Sequence, residues 1–380
     1  MTLPPSTGCK WPPLPLTRDD SSASNRYFFT CPSYGFITPV LSIIDSIVAH
    51  NPEIIIFVLD EQMRSFWELL TREKDLDWKV IQLNTNIPGR FRNIRSWLKI
   101  RHVVNSLFED HFHSIRNSSF YCCGSANNLV LFSVIKRITK VNRVVFLDLV
   151  SMTFPKLYSL KSAIVLIHTW IFYRLDVSIR NVAGQPCAFL SDAFFKKERI
   201  PHHTVDYCYD ADLLKKYNPL PVSITRGKKI LWLDDDSLTY TQKQRNVILN
   251  CLQALKHVVD IHFKRNEILY KRHPNPGFYS KDFGSIYSDY EEYPSHISAD
   301  FIIPNSSIRI ILGGLSAVLS TAAKNSSILA VSYAKLIPYE DEEYKRRVIE
   351  LRMRESDRKI LFLDSPEEFV ALLTAGNAKR

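Results

Sequence analysis

Short, nearly continuous apolar segments alternate with amphipathic segments along most of the chain. In the first half the apolar segments are RYFFTC (26–31), EIIIFVLD (53–60), WKVIQL (78–83), SFYCCG (119–124) and RVVFLDL (143–149). Such runs are typical of strands that are buried on both faces of a parallel sheet. Helical patterns separate them, at about 36–49, 61–74, 94–110 and 126–140. The alternation predicts a doubly wound α/β domain.

The alternation begins again in the second half. Its predicted strands are KKILWLD (228–234), ILYK (268–271), IRIILGG (308–314), ILAVSY (328–333) and KILFLD (359–364). A helix is predicted from about 241 to 256, with Val247, Cys251 and Leu255 on one apolar stripe. Two Rossmann-like halves around a crevice are therefore the expected architecture.

Two signals near the C-terminus predict surface helices. The segment SPEE opens a helix, with Ser365 as N-cap, Pro366 in the first helical position and Glu368 closing a capping box. The charged segment 339–359 places acids four residues ahead of bases, as on a solvated helix. We interpret that segment as a structural face rather than a binding site.

The length of 380 residues and the composition shifts divide the chain into four parts. Residues 1–25 are rich in Pro and Ser without an apolar core, which indicates a disordered arm and not a signal peptide. A Rossmann-like domain is predicted over 26–180 and a second over 228–380. The polar, Pro-containing stretch 181–227 between them shows no strong periodicity and is taken as the interdomain region.

Charge and cysteine content narrow the choice of partner. The 49 Lys and Arg against 39 Asp and Glu give a net charge of +10, which favours an anionic partner. Nucleic acid is not expected, because the charge is scattered and no basic run is interleaved with aromatics. The seven cysteines form no CxxC pair, so neither a zinc site nor a disulfide framework is expected. The sequence contains no run of about 18 or more apolar residues, so no membrane span is predicted. The shorter apolar segment 162–173 is interpreted as a buried helix or a membrane-surface helix.

The segment ILYKRHPNP carries the strongest chemical signal. Lys271, Arg272 and His273 follow a predicted strand, and Pro274 ends it. Ligands of open α/β sheets bind outside the carboxyl ends of the strands. A histidine at that position can donate a hydrogen bond or a proton to a departing phosphate oxygen, and the two cations can clamp the anion.

Two further segments suggest contacts to an anion and to a sugar. A strand ends at Gly313 and Gly314, and Ser316 begins a helix of small residues, so N–H groups and a hydroxyl can face an anion. A tightly packed helix start is the alternative. Asp300, in SHISADFIIPN, can accept the hydroxyls of a ribose or cap a helix.

In chain order these motifs are a basic His-Pro after a strand, then Ser-Ala-Asp ending at Asp300, then a strand followed by Gly and Ser316. This order resembles that of the bacterial sialyltransferases and polysialyltransferases, which are GT-B glycosyltransferases that use CMP-sialic acid. The segments YFFTCPSYGFITPVLSIIDSI and KILWLDDDSLTYTQKQ are also similar to that family's elements. The resemblance covers most of 26–335. It implies two Rossmann-type domains facing a central cleft, with the acceptor on 26–180 and the nucleotide sugar on 228–380.

The resemblance implies a role for each matching residue of the second half. His273 would be the general acid or phosphate stabiliser, Pro274 would complete the motif, and Lys271 would hold the phosphate with Arg272 beside it. Asp300 would bind the ribose. Ser316 matches the first of the family's paired serines and Ala317 stands at the second position. Ser320 and Thr321, one turn on, would compensate in part.

The family's base is an aspartate of an acidic-acidic-glycine motif. In the corresponding place this chain has VVFLDLVSMTF, with Asp148 but neither the second acid nor the glycine. The acidic LDDDS segment offers Asp235 or Asp236 instead. We rank Asp148 slightly ahead of these two.

The expected function is metal-independent, inverting transfer of a sialic-acid-like sugar from a CMP-activated donor to a glycan acceptor. No cofactor is expected beyond the donor itself. The expected location is the cytoplasm, with peripheral attachment to the inner face of the membrane as an open alternative. Two other functions also stay open: a catalytically silent homologue that binds nucleotide or glycan, and a metal-dependent transferase that uses Asp234, Asp235 and Asp236.

Overall fold

The computed structural model describes residues 25–32, 34–85, 94–123, 129–139, 141–147, 185–188, 203–204, 210–234, 240–273, 282–305, 307–325 and 327–377. The chain divides into two compact units, Met1–Leu213 and Leu214–Arg380. The division falls inside the predicted interdomain region 181–227. Residues 1–24 of the predicted arm and the apolar segment 162–173 lie outside the described residues.

The first unit contains a seven-stranded parallel sheet with the order β3-β2-β1-β4-β5-β6-β7. Its strands are β1 Arg26–Thr30, β2 Glu53–Val58, β3 Trp78–Gln82, β4 Ser119–Cys123, β5 Arg143–Leu147, β6 Gln185–Ala188 and β7 His203–Thr204. The five predicted strands are confirmed. The strands β6 and β7 lie in the stretch 181–227, which shows no strong periodicity and is predicted to be the interdomain region. They are short and only partly apolar, so they are defined by pairing with β5 and with each other rather than by a local pattern.

Helices connect these strands as the sequence predicts. They are α1 Ile37–Ile47, α2 Glu61–Glu73, α3 Ile94–Leu107 and α4 Leu129–Ile138, followed by the short α5 Ala211–Lys216 at the division between the units. Asp60 caps α2, because its carboxylate accepts a hydrogen bond from the Met63 N–H at 2.8 Å. On one face of the sheet the rings of Phe28, Phe57 and Phe120 stack across three neighbouring strands.

The second unit contains a six-stranded parallel sheet with the order β10-β9-β8-β11-β12-β13. Its strands are β8 Ile230–Leu233, β9 Ile268–Lys271, β10 Glu291–Tyr293, β11 Ile310–Gly313, β12 Leu329–Ser332 and β13 Leu361–Phe362. Its helices are α6 Gln242–His262, α7 Val318–Ala323, α8 Glu342–Glu355 and α9 Pro366–Asn377. The sequence does not predict β10, which has three residues, two of them exposed glutamates.

The apolar stripe predicted for α6 is confirmed at Leu255 and is wrong by one residue at Val247 and Cys251. The buried side chains of the helix are Ile248, Leu252, Leu255, Val258 and Val259. Val247 is 53% exposed and Cys251 is only partly buried. The helix has 21 residues and ends at His262, six residues beyond the predicted end. Ile248, Leu252 and Leu255 belong to the buried core of the second unit, together with Val258 and Val259.

The helix signals near the C-terminus are confirmed. The Ser365 hydroxyl accepts from the Glu368 N–H at 3.3 Å, and the Glu368 carboxylate accepts from the Asp364 N–H at 2.8 Å. On α8 the Glu343 carboxylate accepts from Arg346, three residues on, at 2.7 Å, and Arg347, four residues on, lies 4.0 Å from it; these three side chains are exposed. This pairing supports the interpretation of a solvated helix. In the part of the chain that the structure describes, none of the helices combines the length and the apolar character that crossing a bilayer requires.

The register of α6 can be tested through stability. Leu252→Ala should lower the free energy of unfolding by about 2–5 kcal/mol, because it leaves a cavity beneath the sheet. Val247→Ala, the matched control on the same helix, should change it by less than about 0.5 kcal/mol. Urea denaturation measures both. A larger loss for Val247→Ala would contradict this packing.

Candidate functional site at the carboxyl edge of the second sheet

The strand order of the second sheet reverses between β8 and β11. The chain passes from β8 to β9 to β10 on one side and then returns to place β11 on the other side of β8. Such a reversal opens a crevice outside the carboxyl ends of the two strands, where ligands of doubly wound sheets bind. Leu233 pairs with Lys271 and Trp232 pairs with Leu312. The segments that follow β8, β9 and β11 therefore leave the sheet side by side, about 5 Å from strand to strand.

Asp234 comes directly after β8 and is buried, with 4% of its surface exposed. Its N–H donates to the Lys271 carbonyl at 2.9 Å, which extends the pairing of β8 with β9. Burial and the nearby Asp234 carboxylate raise the pKa of the Tyr270 hydroxyl. The Asp234 carboxylate is thus enclosed among β-strand residues. Asp235 and Asp236, and also Asp148, lie outside the described residues.

Lys271 is the last residue of β9, and only 5% of it is exposed. Its Nζ donates to the carbonyl oxygens of Arg272 at 2.9 Å and Ser295 at 2.8 Å. Burial lowers the pKa of the amine to about 7, although the carboxylates of Glu292 and Asp234 oppose the shift. Two N–H donors of the amine are thus used by the two carbonyls.

The next two residues are more exposed than Lys271. Arg272 is exposed and donates to the Glu292 carboxylate at 3.2 Å. His273 is partly exposed, and Pro274 lies outside the described residues. The basic cluster predicted from the sequence therefore consists of one enclosed amine, one guanidinium paired on β10 and one accessible imidazole.

A second histidine stands at the end of the neighbouring strand. His296 lies three residues beyond β10, and Tyr293 of β10 pairs with Lys271 of β9. Burial and, to a smaller extent, the charge of Lys271 lower the pKa of His296. Sequence reasoning missed this residue because β10 carries no apolar pattern. If β10 had been predicted, the position of His296 just after that strand would have marked it as a candidate for ligand binding.

On the other side of β8, Gly313 allows a close contact. A Cβ atom built on Gly313 would lie 3.3 Å from the Cβ atom of Leu233. Two hydroxyls fix the neighbouring backbone: Ser332 donates to the Gly314 carbonyl at 2.7 Å, and Tyr333 donates to the Leu233 carbonyl at 3.3 Å. The carboxyl ends of β8, β11 and β12 are thereby held together.

The turn after β11 leads into a helix that is shorter than predicted. The helix α7 has six residues and begins at Val318 rather than at Ser316. The Ser316 hydroxyl accepts from the Val318 N–H at 3.4 Å in the turn before the helix, whereas the N-cap position is Ala317, which has no side-chain cap. Ser316 is partly exposed, at the edge where the chain leaves β11.

Asp300 lies in a short 3-10 helix, Ala299–Phe301. The Ser298 hydroxyl donates to its carboxylate at 3.0 Å. The pKa of Asp300 is raised, because burial outweighs the hydrogen bonds from Thr321 and Ser298 and the charge of Arg352, which lower it. Ser320 and Thr321 are both buried. The structure thus brings Asp300 and Thr321 together, although they are far apart in the sequence.

Within the described ranges, no three His, Cys, Asp or Glu side chains cluster in a way that could hold a metal ion. The metal-dependent alternative requires Asp235 and Asp236, on which the described residues give no information.

The comparisons with known proteins reveal similarity of fold. No protein-family model matches the sequence, and no curated protein matches it significantly. Among solved structures, UGT2 of Phytolacca americana, complexed with UDP-2-fluoro-glucose and pterostilbene, is similar with a TM-score of 0.50 at 12% identity. The match covers 92% of this chain and 89% of UGT2. An α/β-galactoside α-2,3-sialyltransferase of Photobacterium phosphoreum matches with a TM-score of 0.45 at 10% identity, over 89% of this chain and 97% of that one.

The fold class is therefore confirmed. The chain has the α/β, GT-B-like fold, with two units that each carry a parallel sheet of Rossmann strand order. At 12% identity the likeness shows the fold alone, and the donor and the acceptor must be argued from the residues of this chain.

Close packing at the switch between β8 and β11 can be tested at Gly313. Gly313→Ala should lower the free energy of unfolding by about 1–3 kcal/mol, because the added methyl group would press against Leu233. In a Leu233→Ala background the same change should cost less, because the Leu233 Cδ1 and Cγ atoms, at 3.4 and 3.7 Å, are removed and only the Cβ contact remains. A double-mutant cycle in urea measures this coupling. Equal costs in the two backgrounds would contradict the contact.

The buried amine of Lys271 predicts a pH dependence of stability. Its folded pKa of about 7 lies below the ordinary 10.5, so between these values the unfolded chain binds the additional proton. The stability of the wild type relative to Lys271→Met should then rise by about 1.4 kcal/mol per pH unit between pH 7.5 and 9. Denaturation of both proteins across that range measures the difference. A difference that stays constant would show that the amine is charged throughout.

Proposed function

We propose that this protein is a glycosyltransferase that binds a nucleotide-activated sugar at the carboxyl edge of its second sheet. The observation that carries this proposal is the reversal of strand order between β8 and β11, which is the position where doubly wound sheets bind nucleotides. His273 follows β9 on one side of β8, and Ser316 follows β11 on the other side. One phosphate group bound outside β8 can therefore be reached from both strands.

The donor proposed from the sequence resemblance is a CMP-activated, sialic-acid-like sugar, and the acceptor is a glycan. The net charge of +10 is suited to two anionic substrates of this kind. In the proposed reaction an acceptor hydroxyl attacks the anomeric carbon from the face opposite the phosphate. The bond between that carbon and the phosphate oxygen breaks, and the electron pair leaves with CMP. The configuration at the anomeric carbon is inverted.

His273 is the residue proposed to meet the charge that develops on the departing phosphate. Its partial exposure at the strand end is suited to donating a hydrogen bond or a proton to the phosphate oxygen. The Ser316 hydroxyl and the turn at Gly313 and Gly314 are proposed to contact the same anion. Asp300 is proposed to bind the ribose, with Thr321 and Ser298 orienting its carboxylate.

The base that takes the acceptor's proton is proposed to be Asp148, with Asp235 or Asp236 as the alternative. Asp234 is less suited than these to a catalytic or metal-binding role, because it is buried beside Tyr270 at the end of β8. We propose that the reaction needs no divalent cation, since His273 and the neighbouring N–H donors can neutralise the leaving group. Transfer that persists in the presence of EDTA would agree with this, and loss of transfer would favour the metal-dependent alternative.

Nucleotide titration of the wild type and a transfer assay of His273→Ala test the proposal. Isothermal titration with CMP, CDP, UDP and GDP should show selective binding of CMP to the wild type. His273→Ala should lower transfer from a CMP-sugar by about 10²-fold or more, the usual contribution of a positioned acid.

The matched control for that experiment is His262→Ala. His262 lies at the last position of α6, where its Nδ1 is 2.9 Å from the Val258 carbonyl, and it precedes the start of β9. The His262→Ala variant should bind nucleotide and transfer sugar like the wild type. Unchanged transfer in His273→Ala would refute the role of His273. Binding of CMP without transfer or donor hydrolysis would instead identify a silent homologue.

A further inference from the structure

One buried amine joins two loops at the carboxyl edge of the second sheet. The Nζ atom of Lys271 donates to the carbonyl of Arg272 and to the carbonyl of Ser295, at 2.9 and 2.8 Å. Each of these carbonyls belongs to the peptide group that leads into a histidine, His273 in one loop and His296 in the other. The backbone that carries the two histidines is therefore held by a single side chain.

The register of the sheet places the two loops next to each other. Lys271 of β9 and Tyr293 of β10 are paired in parallel. His273 comes two residues after Lys271, and His296 comes three residues after Tyr293. Both histidines are partly exposed, whereas Lys271 is almost fully buried. The arrangement presents two imidazoles at one edge and keeps the amine beneath them.

The surroundings of Lys271 argue against direct contact between its amine and a phosphate. Asp234 at the end of β8, Glu292 on β10 and the imidazole of His296 act electrostatically on the amine, and its two donor bonds go to backbone carbonyls. To reach a ligand outside the sheet, the amine, which is only 5% exposed, would have to give up its hydrogen bonds to both carbonyls, which is costly. The hydrogen bonds of the Lys271 amine are therefore suited to holding the loops that carry His273 and His296.

We propose that His296 is a second imidazole of the nucleotide-phosphate site, and that Lys271 is a positioning residue that holds His273 and His296 towards the same anion. The inference rests on the proposed function, because it assumes that the carboxyl edge binds a nucleotide. It differs from the role that the resemblance implies for Lys271, which is a direct hold on the phosphate. Two N–H donors from neighbouring strand ends can bind two oxygens of one phosphate group.

The test compares Lys271→Met and His296→Gln with a matched control, Lys228→Met. Lys228 is also a buried lysine of this sheet. It lies before β8, at the amino edge, where its Nζ contacts the Glu291 carboxylate and lies 3.5 Å from the Ile268 carbonyl. Lys228→Met removes a buried amine of the same kind from the opposite end of the strands. Isothermal titration with CMP is the primary measurement, and urea denaturation verifies that each variant is folded.

The expected result is that His296→Gln weakens CMP binding by about tenfold, which is the effect of losing one good hydrogen bond to an anion. Lys271→Met should weaken binding by about as much, because both histidine loops lose the amine that holds their backbone. Lys228→Met should bind CMP like the wild type. In NMR spectra of the wild type with labelled histidine, CMP should shift the ring signals of both His273 and His296. In Lys271→Met the pKa of His296 should rise, because the charge of Lys271 lowers it in the wild type.

The results that would overturn this inference differ from those that would overturn the proposed function. If CMP binds, and His273→Ala weakens it while His296→Gln does not, the role of His296 is refuted and the proposed function stands. If Lys271→Met fails to fold, the binding by His296→Gln and the histidine spectra of the wild type decide. If the wild type binds none of the four nucleotides, the proposed function and this inference both fail.

Discussion

The parallel pairing of β8 with β9 on one side and β11 on the other determines where chemistry can occur in the second unit. It brings three carboxyl ends together and leaves the side chains that follow them at one edge of the sheet. Gly313 permits the close approach of β11 to Leu233, whose Cβ atom would lie 3.3 Å from an added Cβ atom. The pairing is completed by the Asp234 N–H and by the hydroxyls of Ser332 and Tyr333. The proposed site follows from these contacts.

Much of the fold could be predicted from the sequence, because strands buried on both faces leave unmistakable apolar runs. ILYK is a strand with the predicted limits, and the Ser365 and Glu368 signals define a real helix start. What the pattern could not show is structure that depends on pairing alone. The strands β6, β7 and β10 are short and partly polar, and α6 buries Ile248 and Leu252 where the local pattern predicted Val247 and Cys251.

In the candidate site too, the sequence identified the residues but not the contacts that they make. The sequence identified Lys271, Arg272 and His273 as a basic cluster, but their separate environments depend on partners elsewhere in the chain. Lys271 binds the Ser295 carbonyl and Arg272 binds Glu292, so both partners come from the β10 region. His296 enters the site through the same strand. A charge count along the sequence therefore overstated how much positive charge is available to a ligand.

The most direct measurement of the central claim is amide hydrogen exchange of the whole protein with and without saturating CMP. The account predicts slower exchange in the segments just after the strands, at 272–273, 294–297 and 313–318. It predicts no change at the opposite ends of the same strands, at 228–230, 265–268 and 307–310. Protection confined to those opposite ends, or to the first unit, would contradict the placement of the nucleotide at the carboxyl edge.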